Sequence, residues 1–268
     1  MSSRSRSKNR AVENFDENEI DCLKIQPANM ENTLVGTPTN RPANVDKILN
    51  SLERYGAENI TVLQEYVTKQ ASEGFIDSPA NLALLKLYQF NTHMSRDDVI
   101  LTILSKALIR FYSCDFTSCL HLLHPSVLLI QDPPAESLAE QTQKLFHLYS
   151  LLDSAKYTEF WTTFESDDTY ADIVADVNGF EDELRLSIAK TVEISLKQIA
   201  VPVFQEWSNL SEAKFTKWVE EKLGWKISGT SVVVPVNKDN EIKMVVTNET
   251  VKFEQLSKII KKTYEIRA

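Results

Sequence analysis

Residues 78 to 91 read SPANLALLKLYQFN, and this stretch decides the fold class. Ser78 and Pro79 mark the start of a helix, because proline is favoured in the first helical turn. From Leu82 to Tyr88 every residue except Lys86 is apolar, so a helix here carries apolar side chains on almost every side. Such a helix is buried among other elements. The stretch therefore predicts a mainly α-helical fold in which helices pack on helices.

Apolar residues at helical spacing continue on both sides of this stretch. The first helix is expected to include Val45 and Leu52 and to end at Gly56, because glycine is common at helix C-termini. Ser95 and Asp98 form a capping box that predicts the start of a later helix. Further helices are predicted over residues 60–74, 116–123, 135–152 and 155–164. Short helices joined by short loops are typical of a stacked α-solenoid, so residues 44 to 178 are predicted to form one helical domain.

The last third of the chain combines helices with β-branched runs. The predicted order is a long helix (180–199), a short apolar segment (201–207), a helix (211–223) and a hairpin of two strands, Ser231–Val236 and Ile242–Thr247. Helices followed by a hairpin are the order of a winged-helix module, a relative of the helix-turn-helix. Residues 179 to 250 are therefore predicted to form a winged-helix domain with Trp218 in its core.

A final helix is predicted over residues 251 to 268, after a hairpin that already completes a small winged helix. One face carries a strong apolar stripe, and the opposite face carries lysines that suit solvent or acidic neighbours. A terminal helix of this kind can pack on its own domain or offer its stripe to the helices of another chain. We predict the second, with these partner-binding residues: Phe253, Leu256, Ile259, Ile260, Lys258, Lys261 and Lys262.

The composition disfavours several classes of protein. The 268 residues include only 6 glycines and carry a net charge of −9, which disfavours glycine-lined phosphate loops and general binding to nucleic acid phosphates. Cys22, Cys114 and Cys119 are too few for a disulfide scaffold and favour a reducing compartment. No apolar run has the length of a membrane span, and no secretory signal is recognised. A soluble protein is expected, in the cytoplasm and with the nucleus left open.

Residues 1 to 43 differ from the rest of the chain. They are rich in Ser, Asn, Thr, Pro and charged residues, and no apolar period continues over two helical turns. We expect a disordered tail, either a basic arm that seeks a partner or an inert extension. Removing it is expected to leave the stability of the remaining chain nearly unchanged.

No set of side chains predicts a catalytic, cofactor-binding or metal site. Gly224 and Gly229 have the spacing of a phosphate loop, but Thr230 stands where such a loop requires lysine. Cysteines and histidines are crowded between residues 114 and 124, yet they do not form the two ligand pairs on separate elements that a zinc site needs. The sequence therefore predicts a protein that is not an enzyme and holds no cofactor.

Four stretches of the chain resemble the subunit K family of eukaryotic translation initiation factor 3. They are residues 51–66, 80–91, 178–192 (NGFEDELRLSIAKTV) and 209–225 (NLSEAKFTKWVEEKLGW). The resemblance implies a HEAT-like helical domain followed by a winged helix, related to the PCI subunits of large complexes. The segment from His121 to Pro134 and the wing loop depart from the family pattern.

The resemblance also implies a function. It is that of a non-catalytic subunit in the initiation factor complex that binds the small ribosomal subunit and supports the initiation of protein synthesis. Subunit L is the implied neighbour, and winged helices and C-terminal helices are the implied assembly elements. The family implies no catalytic residues, and direct contact with ribosomal RNA stays open.

Two other readings of the same architecture stay open. One is the related short PCI subunit of the proteasome lid or of the COP9 signalosome, which shares the order of elements. The other is a winged helix that binds nucleic acid through residues 211 to 223. This helix carries three glutamates and three lysines, so it is neutral where a helix in the major groove is expected to be basic.

Overall fold

The structure is a computed structural model that describes residues 38, 40–128, 130, 133–241 and 253–265. The chain divides into two compact units, of which the first ends at Ser187 and the second begins at Ile188. This division falls inside one helix, whereas the sequence analysis put the domain boundary before that helix. Most of the predicted tail and the predicted strand Ile242–Thr247 lie outside the described residues.

The first unit is helical, as the sequence predicts. Three short 3-10 turns, Leu52–Tyr55, Ala57–Asn59 and Thr92–Met94, connect its helices. The helices are α1 (Ala43–Asn50), α2 (Ile60–Glu73), α3 (Ser78–Phe90), α4 (Asp97–Ile109), α5 (Asp115–Leu122), α6 (Pro125–Leu128), α7 (Leu138–Asp153), α8 (Tyr157–Ser166) and α9 (Asp168–Val174), followed by α10 (Phe180–Ser195). The mainly α-helical fold class is confirmed.

Helices α3 and α4 lie at the centre of the first unit. Most side chains of α3 are buried, in agreement with its apolar sequence. Its start is fixed by Asp77, whose carboxylate accepts a hydrogen bond from the Ala80 amide at 3.3 Å. Gly74 ends α2 with a left-handed backbone (φ +74°), and its amide donates to the Gln70 carbonyl. Glycine has no Cβ and adopts this left-handed conformation at little cost.

The start of α4 and the end of α1 differ from the sequence predictions. The capping box is wrong, because the Ser95 hydroxyl donates to the Thr92 carbonyl and Asp98 pairs with Arg96. Helix α1 ends at Asn50 and not at Gly56. The hydroxyl of Ser51 accepts a hydrogen bond from the Glu53 amide, and a 3-10 turn starts there. Leu52 then leaves the apolar stripe and is 88% exposed.

A buried ion pair joins the N-terminal segment to the first unit. Arg41 donates from Nε and from Nη2 to the two carboxylate oxygens of Asp77, both at 2.7 Å. Asp77 is fully buried and also accepts a hydrogen bond from the Tyr66 hydroxyl at 3.0 Å. Arg41 was assigned to the tail, but its side chain is part of the core. Deleting residues 1 to 43 is therefore expected to destabilise this unit.

The second unit contains a small sheet among helices. Its elements after α10 are β1 (Gln198–Ala200), α11 (Val201–Ser208), α12 (Glu212–Lys217) with a π-helical continuation over Trp218–Leu223, β2 (Lys226–Ser228), β3 (Ser231–Val233) and α13 (Phe253–Glu265). The sheet is antiparallel in the order β1-β3-β2, and Val232 is opposite both Ile199 and Ile227. This order of elements is the predicted winged helix.

The predicted strand Ser231–Val236 is found in part, as β3 (Ser231–Val233), whereas its predicted hairpin partner, Ile242–Thr247, lies outside the described residues. Strand β3 pairs with β2 on one side and with β1 on the other, so over residues 231 to 233 both of its edges are occupied. The sequence analysis assigned no element to Lys226–Ser228, which is strand β2. Three residues are too short a run to show an alternating pattern.

An aromatic cluster forms the core of the second unit. The Phe204 ring stacks on Trp225 and meets Phe215 edge to face, with both centroid distances 5.6 Å. Trp218, predicted for this core, is only half-buried and touches the edge of the cluster through Phe204. The buried tryptophan is Trp225, which directly follows the C-cap Gly224.

Candidate protein interaction surface

Helix α13 carries the partner-binding residues that the sequence predicts, and the structure places all of them on the surface. Phe253 is 79% exposed and Ile259 is 63% exposed, and Leu256 and Ile260 are also exposed. Among the side chains of α13 that the structure describes, only Ser257 is even half-buried. No part of the second unit that is described covers the apolar stripe of this helix.

The helix separates its apolar and charged residues onto different faces. At about 100° per residue, Phe253, Leu256, Ile260 and Tyr264 lie within a quarter of the circumference, with Ile259 next to them. The charged residues Glu254, Lys258, Lys261, Lys262 and Glu265 lie on the other side. Tyr264 is not among the predicted partner-binding residues, but it lies on the same face as they do and is 74% exposed, so it extends the apolar stripe.

A solvated apolar face of this size is the feature that distinguishes α13 from the other helices. Single exposed apolar residues are common on protein surfaces, whereas a contiguous patch of four or five large ones marks an interaction site. Burying them on a partner would be favourable at about 25 cal/mol per Å² of apolar area. The geometry therefore suits a helix that packs against helices of another chain.

The outer face of α12 is electrostatically neutral. Three acidic and three basic side chains are exposed on α12 and its π-helical continuation: Glu212, Glu220, Glu221, Lys214, Lys217 and Lys222. A helix that contacts phosphates and base edges needs an excess of Lys and Arg. This surface therefore does not favour a nucleic acid groove as the partner of the winged helix.

The cysteines and histidines between residues 114 and 124 differ in their surroundings. Cys119 is buried, and burial raises the pKa of its thiol to about 12, whereas Cys114 is exposed. In the part of the chain that the structure describes, no three His, Cys, Asp or Glu side chains come together in a way that could hold a metal ion. Cys22 lies outside the described residues.

No helix within the described ranges combines the length and the apolar composition needed to cross a bilayer.

Comparisons with known proteins agree on one family. The family model described as CSN8/PSMD8/EIF3K matches residues 94–246, which is more than half of the chain. A protein of Yarrowia lipolytica named eukaryotic translation initiation factor 3 subunit K is 49% identical over 235 residues, which cover 87% of this chain and 99% of that protein. Proteins with the same name from Botryotinia fuckeliana and Phaeosphaeria nodorum are 46% and 44% identical over 232 residues, covering 84% of this chain and 95% of each relative. The chain belongs to the CSN8/PSMD8/EIF3K family.

Proposed function

We propose that this chain is subunit K of eukaryotic translation initiation factor 3. The observation that carries the proposal is the identity of 41 to 49% with fungal proteins of that name over at least 84% of this chain. Within a family that also includes subunits of other complexes, these relatives favour the initiation factor over the proteasome lid and the signalosome. The chain acts as a non-catalytic assembly subunit in the cytoplasm and takes part in the start of protein synthesis.

The exposed face of α13 is the proposed attachment surface. Phe253, Leu256, Ile259 and Ile260 insert between helices of neighbouring subunits, of which subunit L is the proposed one, while the lysines face solvent or acidic side chains. Through the assembled complex the chain is held on the small ribosomal subunit. The absence of cover on this stripe within the described second unit supports the assignment.

The experiment compares tagged full-length chains that are recovered from cell lysate with their bound proteins. Ile259→Asp places a carboxylate in the apolar stripe, and Ile259→Leu is the matched control that keeps an apolar side chain. We expect Ile259→Asp to lose the initiation factor subunits with an unchanged melting temperature, and the control to retain them. Truncation after Thr250 is expected to have the same effect.

Three results would contradict parts of the proposal. Recovery of lid or signalosome subunits without initiation factor subunits would overturn the function. Full retention of the complex by Ile259→Asp would overturn the attachment surface. Aggregation or early melting of the truncated chain would show that α13 packs on its own domain.

A further inference from the structure

The turn between α9 and α10 contains an asparagine that is directly followed by glycine, Asn178 and Gly179. No other asparagine in the sequence has glycine as its next residue. Both residues of the pair are exposed. Because glycine has no Cβ, its backbone nitrogen can approach the carboxamide of the preceding side chain more easily than that of any other residue. The pair is therefore a candidate for a reaction between a backbone nitrogen and a side chain.

The backbone of Gly179 leaves its nitrogen accessible. The residue has a left-handed conformation (φ +71°), and no atom of another segment lies within 4 Å of the place where a Cβ would be. Its carbonyl accepts a hydrogen bond from the Glu183 amide at 3.0 Å. Its own amide donates to no carbonyl or side chain among the residues that the structure describes. This nitrogen is therefore open to solvent and can lose its proton to hydroxide.

The carboxamide of Asn178 is only loosely held. Its Nδ2 donates to the Ser72 carbonyl at 3.5 Å, which is long for a hydrogen bond between nitrogen and oxygen. The backbone amide of Asn178 makes the firmer bond, to the Ala71 carbonyl at 3.2 Å. The side chain can therefore turn towards the Gly179 nitrogen while the backbone of the turn stays in place.

The same two donors of Asn178 complete the end of another helix. Helix α2 ends at Glu73, and the last four carbonyls of a helix have no partner within it. Asn178, which comes 106 residues after Ser72, donates to two of these carbonyls, those of Ala71 and Ser72. The C-terminus of a helix is the negative end of its dipole, so it favours a donor and disfavours an anion at this position.

We propose that Asn178 is a deamidation site of the folded chain. The deprotonated Gly179 nitrogen attacks Cγ of Asn178, so that an N–Cγ bond forms and the bond from Cγ to Nδ2 breaks. Nδ2 takes up a proton from water and leaves as ammonia. Water then adds to one of the two carbonyls of the succinimide ring and opens it to aspartate or isoaspartate. The sum of the steps consumes one water and releases one ammonia, without an oxidant or a reductant.

Both products place a new carboxylate at the end of α2. The carboxylate replaces a neutral donor and faces the Ser72 carbonyl, at the negative end of the dipole of α2. It would be favoured by the positive end of α10, but Glu181 and Asp182 already occupy the first turn of that helix and repel it. Deamidation therefore weakens the contact between the turn and α2.

Isoaspartate also lengthens the main chain of the turn. The backbone of this product runs through the former side chain, which adds one methylene group between Val177 and Phe180. Both of these residues are buried, and the Phe180 ring stacks on Phe164 with a centroid distance of 6.0 Å. A longer main chain between two anchored side chains does not fit the turn. The start of α10 must then shift away from its present position.

Peptide mapping by mass spectrometry tests the reaction. The purified full-length chain is kept at mildly alkaline pH, and conversion is followed at Asn178 and at two internal controls, Asn50 and Asn209. Both controls are exposed, and each is followed by a residue that has a Cβ. We expect Asn178 to convert first and faster as the pH rises, and Asn178→Gln to keep its amide because the ring it would have to form is larger. Conversion at Asn178 no faster than at Asn50 would overturn the proposal.

Amide hydrogen exchange tests the structural consequence. Asn178→Asp carries the product carboxylate, and Asn50→Asp is the matched control, since it places the same charge at the end of α1. We expect Asn178→Asp to speed exchange at residues 71–74 and 178–183 and to lower the melting temperature by a few degrees. The control is expected to leave exchange in both segments unchanged.

Unchanged exchange of both segments in Asn178→Asp would overturn the loosening of the turn. Equal acceleration in Asn50→Asp would do so as well, because the effect would then come from added charge anywhere on the unit. All of these measurements use the purified chain. Their outcome is therefore independent of which complex the chain enters.

Discussion

Helices α4 and α13 have the same length, 13 residues, and opposite surroundings. Ten side chains of α4 are buried, including Ile103 and Lys106, whereas the described side chains of α13 are exposed except for half-buried Ser257. Apolar side chains occupy most of the circumference of α4, and even its polar residues Thr102, Ser105 and Lys106 are buried, so other elements of its own unit surround it. Helix α13 has one apolar and one charged face, so a single partner surface is enough to cover it. The comparison teaches that the width of the apolar face predicts whether a helix is central or is offered to a partner.

The largest expected difference in stability is between a charge placed on α4 and a charge placed on α13. Ile103→Asp puts a carboxylate into a fully buried site and is expected to cost more than about 4–5 kcal/mol, which unfolds the first unit. Ile259→Asp is expected to leave the free energy of unfolding nearly unchanged, because Ile259 is exposed. Urea unfolding followed by circular dichroism measures both. Equal losses of stability would show that α13 is a core helix like α4.

A large effect is also expected where two tryptophans of the second unit differ in burial. Trp225→Ala removes a ring that stacks on Phe204 and is expected to cost about 3–5 kcal/mol. Trp218→Ala is expected to cost clearly less, because Trp218 is half-buried. Amide exchange of the second unit and thermal melting give the order. The reverse order would place Trp218 in the core, as the sequence analysis expected.

Two arginines extend the comparison to ion pairs of the first unit. Arg41→Ala leaves buried Asp77 without its counter-ion and is expected to cost about 3–5 kcal/mol. Arg96→Ala breaks an exposed pair with Asp98 and is expected to have no measurable effect, because solvent screens such pairs. Thermal melting of the two variants is the measurement. A silent Arg41→Ala variant would mean that the N-terminal segment does not hold the unit together.

The smallest effect is a pH dependence caused by Lys106 in α4. Burial lowers the pKa of Lys106 below its ordinary 10.5, with Glu183 opposing and Arg110 reinforcing the shift. Between the lowered pKa and 10.5 the unfolded chain binds a proton that the folded chain does not, so stability rises with pH in this window. Lys106→Met removes the contribution. Urea unfolding at several alkaline pH values gives the difference in unfolding free energy between the unmodified chain and Lys106→Met. This difference should change with pH. A constant difference would contradict the burial of the Lys106 charge.

Helices were the part of the fold that sequence reasoning predicted best. The apolar stripe of α13 and the fully apolar α3 both follow from local spacing, and both helices lie within a few residues of the expected ranges. The ends of helices were predicted less well, as Ser51 after α1 and Ser95 before α4 show. A short hydroxyl side chain can bond to either of two nearby backbone groups, and the surrounding structure decides between them.

The candidate site was also predicted in part from local spacing and in part decided by tertiary structure. The sequence placed Phe253, Leu256, Ile259 and Ile260 on one face of a terminal helix, and this followed from periodicity alone. Whether other parts of the second unit cover that face is a question of tertiary structure. The choice between Trp218 and Trp225 was of the same kind, because both tryptophans lie near the end of α12 and only the packing on Phe204 separates them.

The sequence by itself determined the helical class, the winged-helix order, the amphipathic terminal helix and, through resemblance, the family. These are local or compositional properties, because a hydrophobic period of 3.6 residues is a property of neighbours along the chain. Only the tertiary structure decided that Arg41 enters the core, since its partner Asp77 is 36 residues away. It alone also decided which strands flank β3 and that Asn178 donates to carbonyls at the end of α2. Such features depend on side chains that are distant in sequence and meet when the chain folds.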